Sequence, residues 1–158
     1  MLNRVAIVVA TCCVLASLGS PRAIRDAQEQ VFKKELKTLA GTWRPISSET
    51  DGIKAPEERL KESSMTRDEA GKVIGRRGDM IVLEGTVKKI DASKKPKTID
   101  TEVTAGDLKG KTIQGIFEID GDTLQVCVAL PGKAERPTEF SGKAGSGCNL
   151  TVYKREKR

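Results

Sequence analysis

Between about residues 42 and 155 apolar side chains recur at every second position, whereas from 24 to 40 they recur every three to four. In the upstream segment Val31, Phe32, Leu36, Leu39 and Ala40 share one side of a 3.6-residue helix, with Lys33, Lys34, Glu35 and Lys37 mostly on the other. One short amphipathic helix is therefore expected over 24–40. Downstream, the alternation is broken by regularly spaced turn signals, which predicts antiparallel strands at 42–50, 60–67, 71–77, 79–90, 97–104, 111–120, 122–130 and 147–155. The clearest pair sets Ile113, Gly115, Phe117 and Ile119 against Thr112, Gln114 and Glu118. Asp120-Gly121 then supplies a two-residue hairpin signal, and Leu124, Val126, Val128 and Leu130 alternate with Thr123, Gln125 and Cys127. Eight such strands close a small barrel. The expected fold is mainly β: an eight-stranded antiparallel up-and-down barrel preceded by one short amphipathic α-helix. Ile81, Leu83 and Val87 are expected to face inward, and Met80 with Val82 give the same strand an outer apolar side on which the helix should dock.

Closure of such a barrel needs its first and last strands to meet. Gly41 can end the helix in a conformation other residues resist, and Trp43, the only tryptophan, brings a ring that must be buried. Tyr153, Lys154 and Arg155 at the far end supply a ring and cations able to lie over an indole. Gly41, Trp43 and Arg155 are thus the candidate closure residues. The connections 51–58, 91–96, 105–110 and 131–147 are polar; the last is the longest and rich in Gly and Pro, with Lys133, Arg136 and Glu139 as candidate rim contacts.

Composition narrows the function classes. With one Trp, one Tyr and three Phe, and charged residues making up 32% of the chain, the core has to be built from Val, Ile and Leu. The formal charge is +6, but Arg4 and Arg22 lie in a leader-like segment, and the only basic cluster, Lys94-Lys95-Pro96-Lys97, has no interleaved aromatics to stack bases. No nucleic-acid partner is expected. Residues 1–23 have the layout of a signal peptide: Arg4 followed by an uncharged run over 5–18, too short for a mature membrane span, with cleavage after Gly19 or Ala23. Val9-Ala10-Thr11-Cys12 partly resembles a lipobox, which keeps lipoprotein processing as an alternative. The expected organisation is a signal peptide over 1–23, a helix over 24–40 and one barrel domain over 41–156, in an exported protein read as a monomer.

Candidate chemistry is sparse. The absence of histidine removes the commonest general base and transition-metal ligand. Cys127 and Cys148 would be the thiols of the mature barrel, and export invites a disulfide between them. Alternation argues otherwise: Cys127 falls on the polar side of its strand and Cys148 falls in step with Leu150 and Val152 on the apolar side, so two separate buried thiols are the other reading. Asp120 and Asp122 are explained by the turn at Gly121. No catalytic residue, cofactor or metal site is expected, and the chain is read as a non-enzyme.

The stretches 94–100, 110–124 and 136–140, together with the ending 150–156, resemble an uncharacterised family of exported domains abundant in planctomycete bacteria. Its members resemble lipocalin-like barrels and begin with a Leu-x-Gly-x-Trp segment, matched here by Leu39-Ala40-Gly41-Thr42-Trp43. The resemblance covers about residues 35–156 and implies an exported lipocalin-like domain in which Trp43 and Arg155 pair at the closure, as in calycin barrels; it transfers no activity, ligand or partner. Three roles follow as expectations. The first is a periplasmic, cell-surface or secreted module holding a small apolar or amphipathic molecule in the barrel, with Gly85 and Gly115 leaving space inside. The second is a domain that binds an envelope protein or polymer through the 131–147 loop, and the third is an unrecognised enzyme.

Overall fold

The computed structural model describes residues 20–133 and 135–157. The lipobox and most of the expected signal peptide fall in residues 1–19, outside the described residues. A helix α1 (Pro21–Leu39) leads into strands β1 (Gly41–Thr50) and β2 (Ile53–Lys54), a six-residue helix α2 (Glu57–Glu62), and strands β3 (Ser63–Arg67) and β4 (Lys72–Arg77). There follow β5 (Met80–Asp91), β6 (Lys97–Ala105), β7 (Thr112–Asp120), β8 (Thr123–Ala129) and β9 (Cys148–Arg155). All nine strands form one antiparallel sheet in the order β2-β1-β3-β4-β5-β6-β7-β8-β9, and β1 also pairs with β9, from Trp43 opposite Arg155 to Thr50 opposite Asn149. Because β2 only flanks the end of β1, the other eight strands close the barrel.

Helix α1 begins three residues earlier than the apolar periodicity indicated, because Ser20 caps it by accepting a hydrogen bond from the Ala23 amide and Pro21 occupies its first turn. Its position corrects the expected docking site. Leu36 and Leu39 enter the same core as Trp43, Val73, Val87, Ile99, Phe117 and Leu124, so the helix stoppers one end of the barrel. The helix does not cover Met80 or Val82 of β5, which are 64% and 44% exposed. Ile81 is also turned to solvent, at 47%. The cause is a register shift: Leu83 pairs with Gly75 and Ile81 with Arg76, so an extra residue on β5 breaks the alternation that placed Ile81 inside.

Helix α2 is a second departure, since its residues were read as the end of a polar linker and the start of a strand. Pro56 precedes Glu57 and Glu58 in the first turn, while Arg59 and Lys61 sit in the last, the charge order that suits a helix dipole. Lys61 lies 3.7 Å from Glu57 and 3.4 Å from Glu58. Strand β3 consequently starts at Ser63 and pairs with β1 only over Met65–Arg67 against Gly41–Trp43. Beyond Trp43 the two strands separate, and α2 with β2 lies against the widening gap.

A smaller cluster sits on the outer face of the sheet, where Ile116, Cys127 and Cys148 pack with Phe140 and Leu150. This inverts the expected orientation of β9. Its apolar set of Cys148 and Leu150 points outward beneath the 131–147 loop, while Asn149, Thr151 and Tyr153 line the interior.

Candidate functional site

Two ends of the barrel differ in chemistry. At the closed end the last carbonyls of α1 have no helical partner. Trp43 Nε1 donates to Leu39 O at 2.8 Å, and Arg155 donates through Nη2 to Thr38 O at 2.8 Å and through Nη1 to Ala40 O. Arg155 Cζ lies 4.1 Å from the Trp43 ring centre, and the indole is fully buried. Gly41 has φ +130°, and a Cβ there would come within 2.9 Å of Arg155 Nη1. The three closure residues are therefore in mutual contact and hold the helix on the barrel floor.

Above this floor is an interior chamber of about 240 Å³. Val73, Leu83, Ile99, Ile113, Val126 and Val128 form its apolar side, contributed by the inward positions of β4 to β8. Its other side is polar and comes from Asn149, Thr151 and Tyr153 of β9, with Arg67 of β3 and Thr101 of β6; Ser48 and Thr50 of β1 hydrogen-bond the β9 residues from the side of the vestibule. Thr151 Oγ1 donates to Asn149 Oδ1 at 2.9 Å and shares a hydrogen bond with Ser48 Oγ at 3.0 Å; Asn149 Nδ2 donates to Ser48 Oγ at 3.1 Å and to Thr50 Oγ1 at 2.6 Å. Gly85 and Gly115 make no part of this space. A Cβ at Gly85 would meet Glu102 O at 2.8 Å, and one at Gly115 would meet Cys127 O at 2.8 Å. Those glycines admit close neighbours instead of leaving a void, which corrects the expected origin of the cavity.

Two recesses continue the chamber outward. A vestibule of about 340 Å³ shares Met65, Leu83, Asn149, Thr151 and Tyr153 with it and opens where β1 and β3 part, beside α2. A second recess of about 410 Å³ shares Ile113, Val128 and Asn149 and opens between the 105–111 and 130–133 loops. Arg59, Arg76 and Arg77 line the vestibule, Lys111 and Lys133 the second recess, and among the described residues no Asp or Glu lines the chamber or either opening.

At the inner end of the chamber Arg67 is only 9% exposed, and neither its Nε nor its Nη1 has a hydrogen-bond partner among the described residues. Burial pulls the guanidinium pKa below its ordinary value, and the nearby Tyr153 opposes that shift. Burial likewise raises the Tyr153 phenol, against the pull of Arg67 and of a hydrogen bond with Thr151. Sequence reasoning missed Arg67 because the strand 60–67 was started too early, which lost its parity.

The 131–147 loop is tied to its own barrel. Arg136 donates to Ile99 O at 3.1 Å and Gly115 O at 2.8 Å and pairs with Asp100 Oδ1 at 2.5 Å. Lys133 Nζ reaches Ser146 O and lies 3.4 Å from Cys148 Sγ, whereas Glu139 is exposed. Two of the three expected rim contacts thus serve internal anchoring. Cys127 and Cys148 are both free and buried, on one outer face, with Cys127 opposite Leu150 and Cys148 opposite Ala129. Burial is the largest influence on Cys127, raising its thiol pKa, and Cys127 Sγ donates to Ser141 O at 3.5 Å. Among the described residues no three Cys, Asp or Glu side chains gather as a metal site requires, and no helix is long and apolar enough to cross a membrane.

Comparison with family models, with characterised proteins and with solved structures finds no match to this chain.

Proposed function

We propose that the protein is an exported, non-catalytic binding module of the lipocalin-like kind its second half resembles, and that it holds a small amphipathic molecule inside the barrel. The observation that carries this reading is the two-sided chamber, with an aliphatic wall from β4 to β8 facing the hydroxyls and amide of Asn149, Thr151 and Tyr153 on β9, reached through openings at the end away from Trp43. A molecule with an apolar body and a polar head satisfies both walls at once, while a purely apolar one would leave the polar wall and Arg67 without partners. The polar groups around the chamber are hydroxyls, an amide and a guanidinium, with no carboxylate or thiol to act as a base, which favours binding over catalysis. Anchoring of Lys133 and Arg136 within the fold lends the loop-binding alternative less support.

The test is fluorescence titration with the neutral amphipathic probe 6-propionyl-2-(dimethylamino)naphthalene, using energy transfer from the buried Trp43. Saturable transfer at one probe per chain is expected, and Val128→Phe, which fills the chamber, should remove it. Equal binding by the Val128→Phe variant would place the probe elsewhere and overturn the proposal.

A further inference from the structure

A buried guanidinium with no counter-ion is an unusual thing for a barrel to keep. An ionised group removed from water is strongly disfavoured unless paired, and replacing it by an apolar side chain of similar size is often neutral or stabilising. Arg67 is in that position: nine-tenths buried, with Nε and Nη1 unpartnered, on the wall of the interior chamber. Its neighbours there are Thr101, Thr151 and Tyr153, which offer hydroxyls but no negative charge. The approach has the same bias. Arg59, Arg76 and Arg77 border the vestibule and Lys111 and Lys133 the second recess, and among the described residues no carboxylate is part of the lining of either path. Such a field concentrates anions at the mouth, and the low-dielectric interior strengthens the final contact.

Resting on the binding reading above, we propose that the chamber is selective for small organic acids, with Arg67 receiving a ligand carboxylate while the ligand's apolar body lies along Val73, Ile99, Ile113 and Val126. The ligand class is a monoanion, because one buried cation matches one negative charge and a second would be left buried without a partner. Its body is small, because the chamber's roughly 240 Å³ falls below the range of about 300–1,000 Å³ usual for drug-sized sites. Short- and medium-chain fatty acids and small aromatic carboxylates fit this description. Thr101 and Tyr153, which line the same chamber, offer hydroxyls for the second carboxylate oxygen.

The experiment compares octanoate with octan-1-ol, which share an eight-carbon chain and differ in the head, by isothermal titration against the full chain and its Arg67→Met and Arg67→Lys variants. Octanoate should bind the wild type about tenfold to a hundredfold more tightly than the alcohol, as charge-assisted hydrogen bonds imply. Arg67→Met should abolish that preference while keeping alcohol binding, and Arg67→Lys should restore part of it. Octanoate should also raise the thermal midpoint of the wild type and not that of Arg67→Met. Equal binding of acid and alcohol by the wild type would overturn the carboxylate assignment and leave the container intact. A preference that survives in Arg67→Met would overturn the role of Arg67. If neither ligand binds the wild type, the binding reading itself fails, and this inference with it. The wild-type comparison needs no variant, so a variant that did not fold would not shield the proposal.

Discussion

The Arg155 guanidinium stacks on the Trp43 indole at 4.1 Å while donating to the carbonyls of Thr38 and Ala40, so the last strand holds the first strand and the end of α1 together. The two residues are also directly opposed in the β1–β9 pairing, which makes their contact part of barrel closure. Trp43 completes the arrangement by donating to Leu39 O, and three consecutive C-terminal carbonyls of the helix are thereby satisfied. Helix and barrel floor should unfold as one unit.

Arg155→Met keeps much of the stem packing but loses the cation–π contact and both hydrogen bonds to the helix. A loss of about 2–4 kcal/mol is expected in urea unfolding followed by Trp43 fluorescence. The helical signal at 222 nm should disappear in the same transition; an earlier separate loss of helix would show that α1 is not held by this contact.

Gly41→Ala tests the same junction from the backbone. At φ +130° any L side chain is strained, and the added Cβ would crowd Arg155 Nη1. The variant should lose more than about 1 kcal/mol. Gly132→Ala is the comparison, since it also has positive φ but has no atom within 4 Å of an added Cβ, and it should lose less.

Lys97 lies 2.7 Å from Glu35, whose other oxygen, Oε2, is buried without a partner. Removing only the cation by Lys97→Met should cost about 1–3 kcal/mol, less than for a fully buried pair because Lys97 is 40% exposed. Adding Glu35→Leu to that variant should recover most of the loss, as the helix face then meets the core with no stranded charge. A double-mutant cycle in urea reads the coupling directly; additive losses would mean that the pair does not act as a pair.

The Cys127 thiol gives a pH dependence. Burial raises the Cys127 pKa in the folded state, so above the ordinary thiol range, about 8.5, the folded chain holds a proton that the unfolded chain has released. Its contribution is fully present below that range and is lost as pH rises through the folded value. Stability should therefore fall with rising pH on the alkaline side, and Cys127→Val should flatten the fall until Tyr153, also raised by burial, takes over. Labelling of Cys127 and Cys148 by Ellman's reagent at pH 8 should be slow in the native state and fast in urea.

Much of the architecture was legible from residue order. Alternation in the β7–β8 hairpin placed Phe117, Leu124 and Val126 in the core, and the Trp43 and Arg155 positions indicated where the ring of strands closes. The site was far less legible. Arg67 follows a short helix whose signature, Pro56 then Glu57-Glu58 and Arg59, was readable but looked like a charged linker, so the inward parity of β3 could not be assigned. On β9 the alternation was real and its direction was misjudged.

Local order along the chain determined that strands form, roughly where they turn and that they suit a closed sheet, because a pleated strand sends successive side chains to opposite faces. It could not determine which face became the inside wherever both faces carry something to bury. On β9 that choice belonged to the 131–147 loop, which Arg136 and Phe140 fold over Cys127, Cys148 and Leu150, leaving Asn149, Thr151 and Tyr153 for the interior. On β5 a single extra residue opposite Arg76 turned Ile81 outward. Covering an outer face and slipping a register depend on contacts between segments distant in sequence, so the polar wall and the lone guanidinium of the chamber exist only in the folded chain.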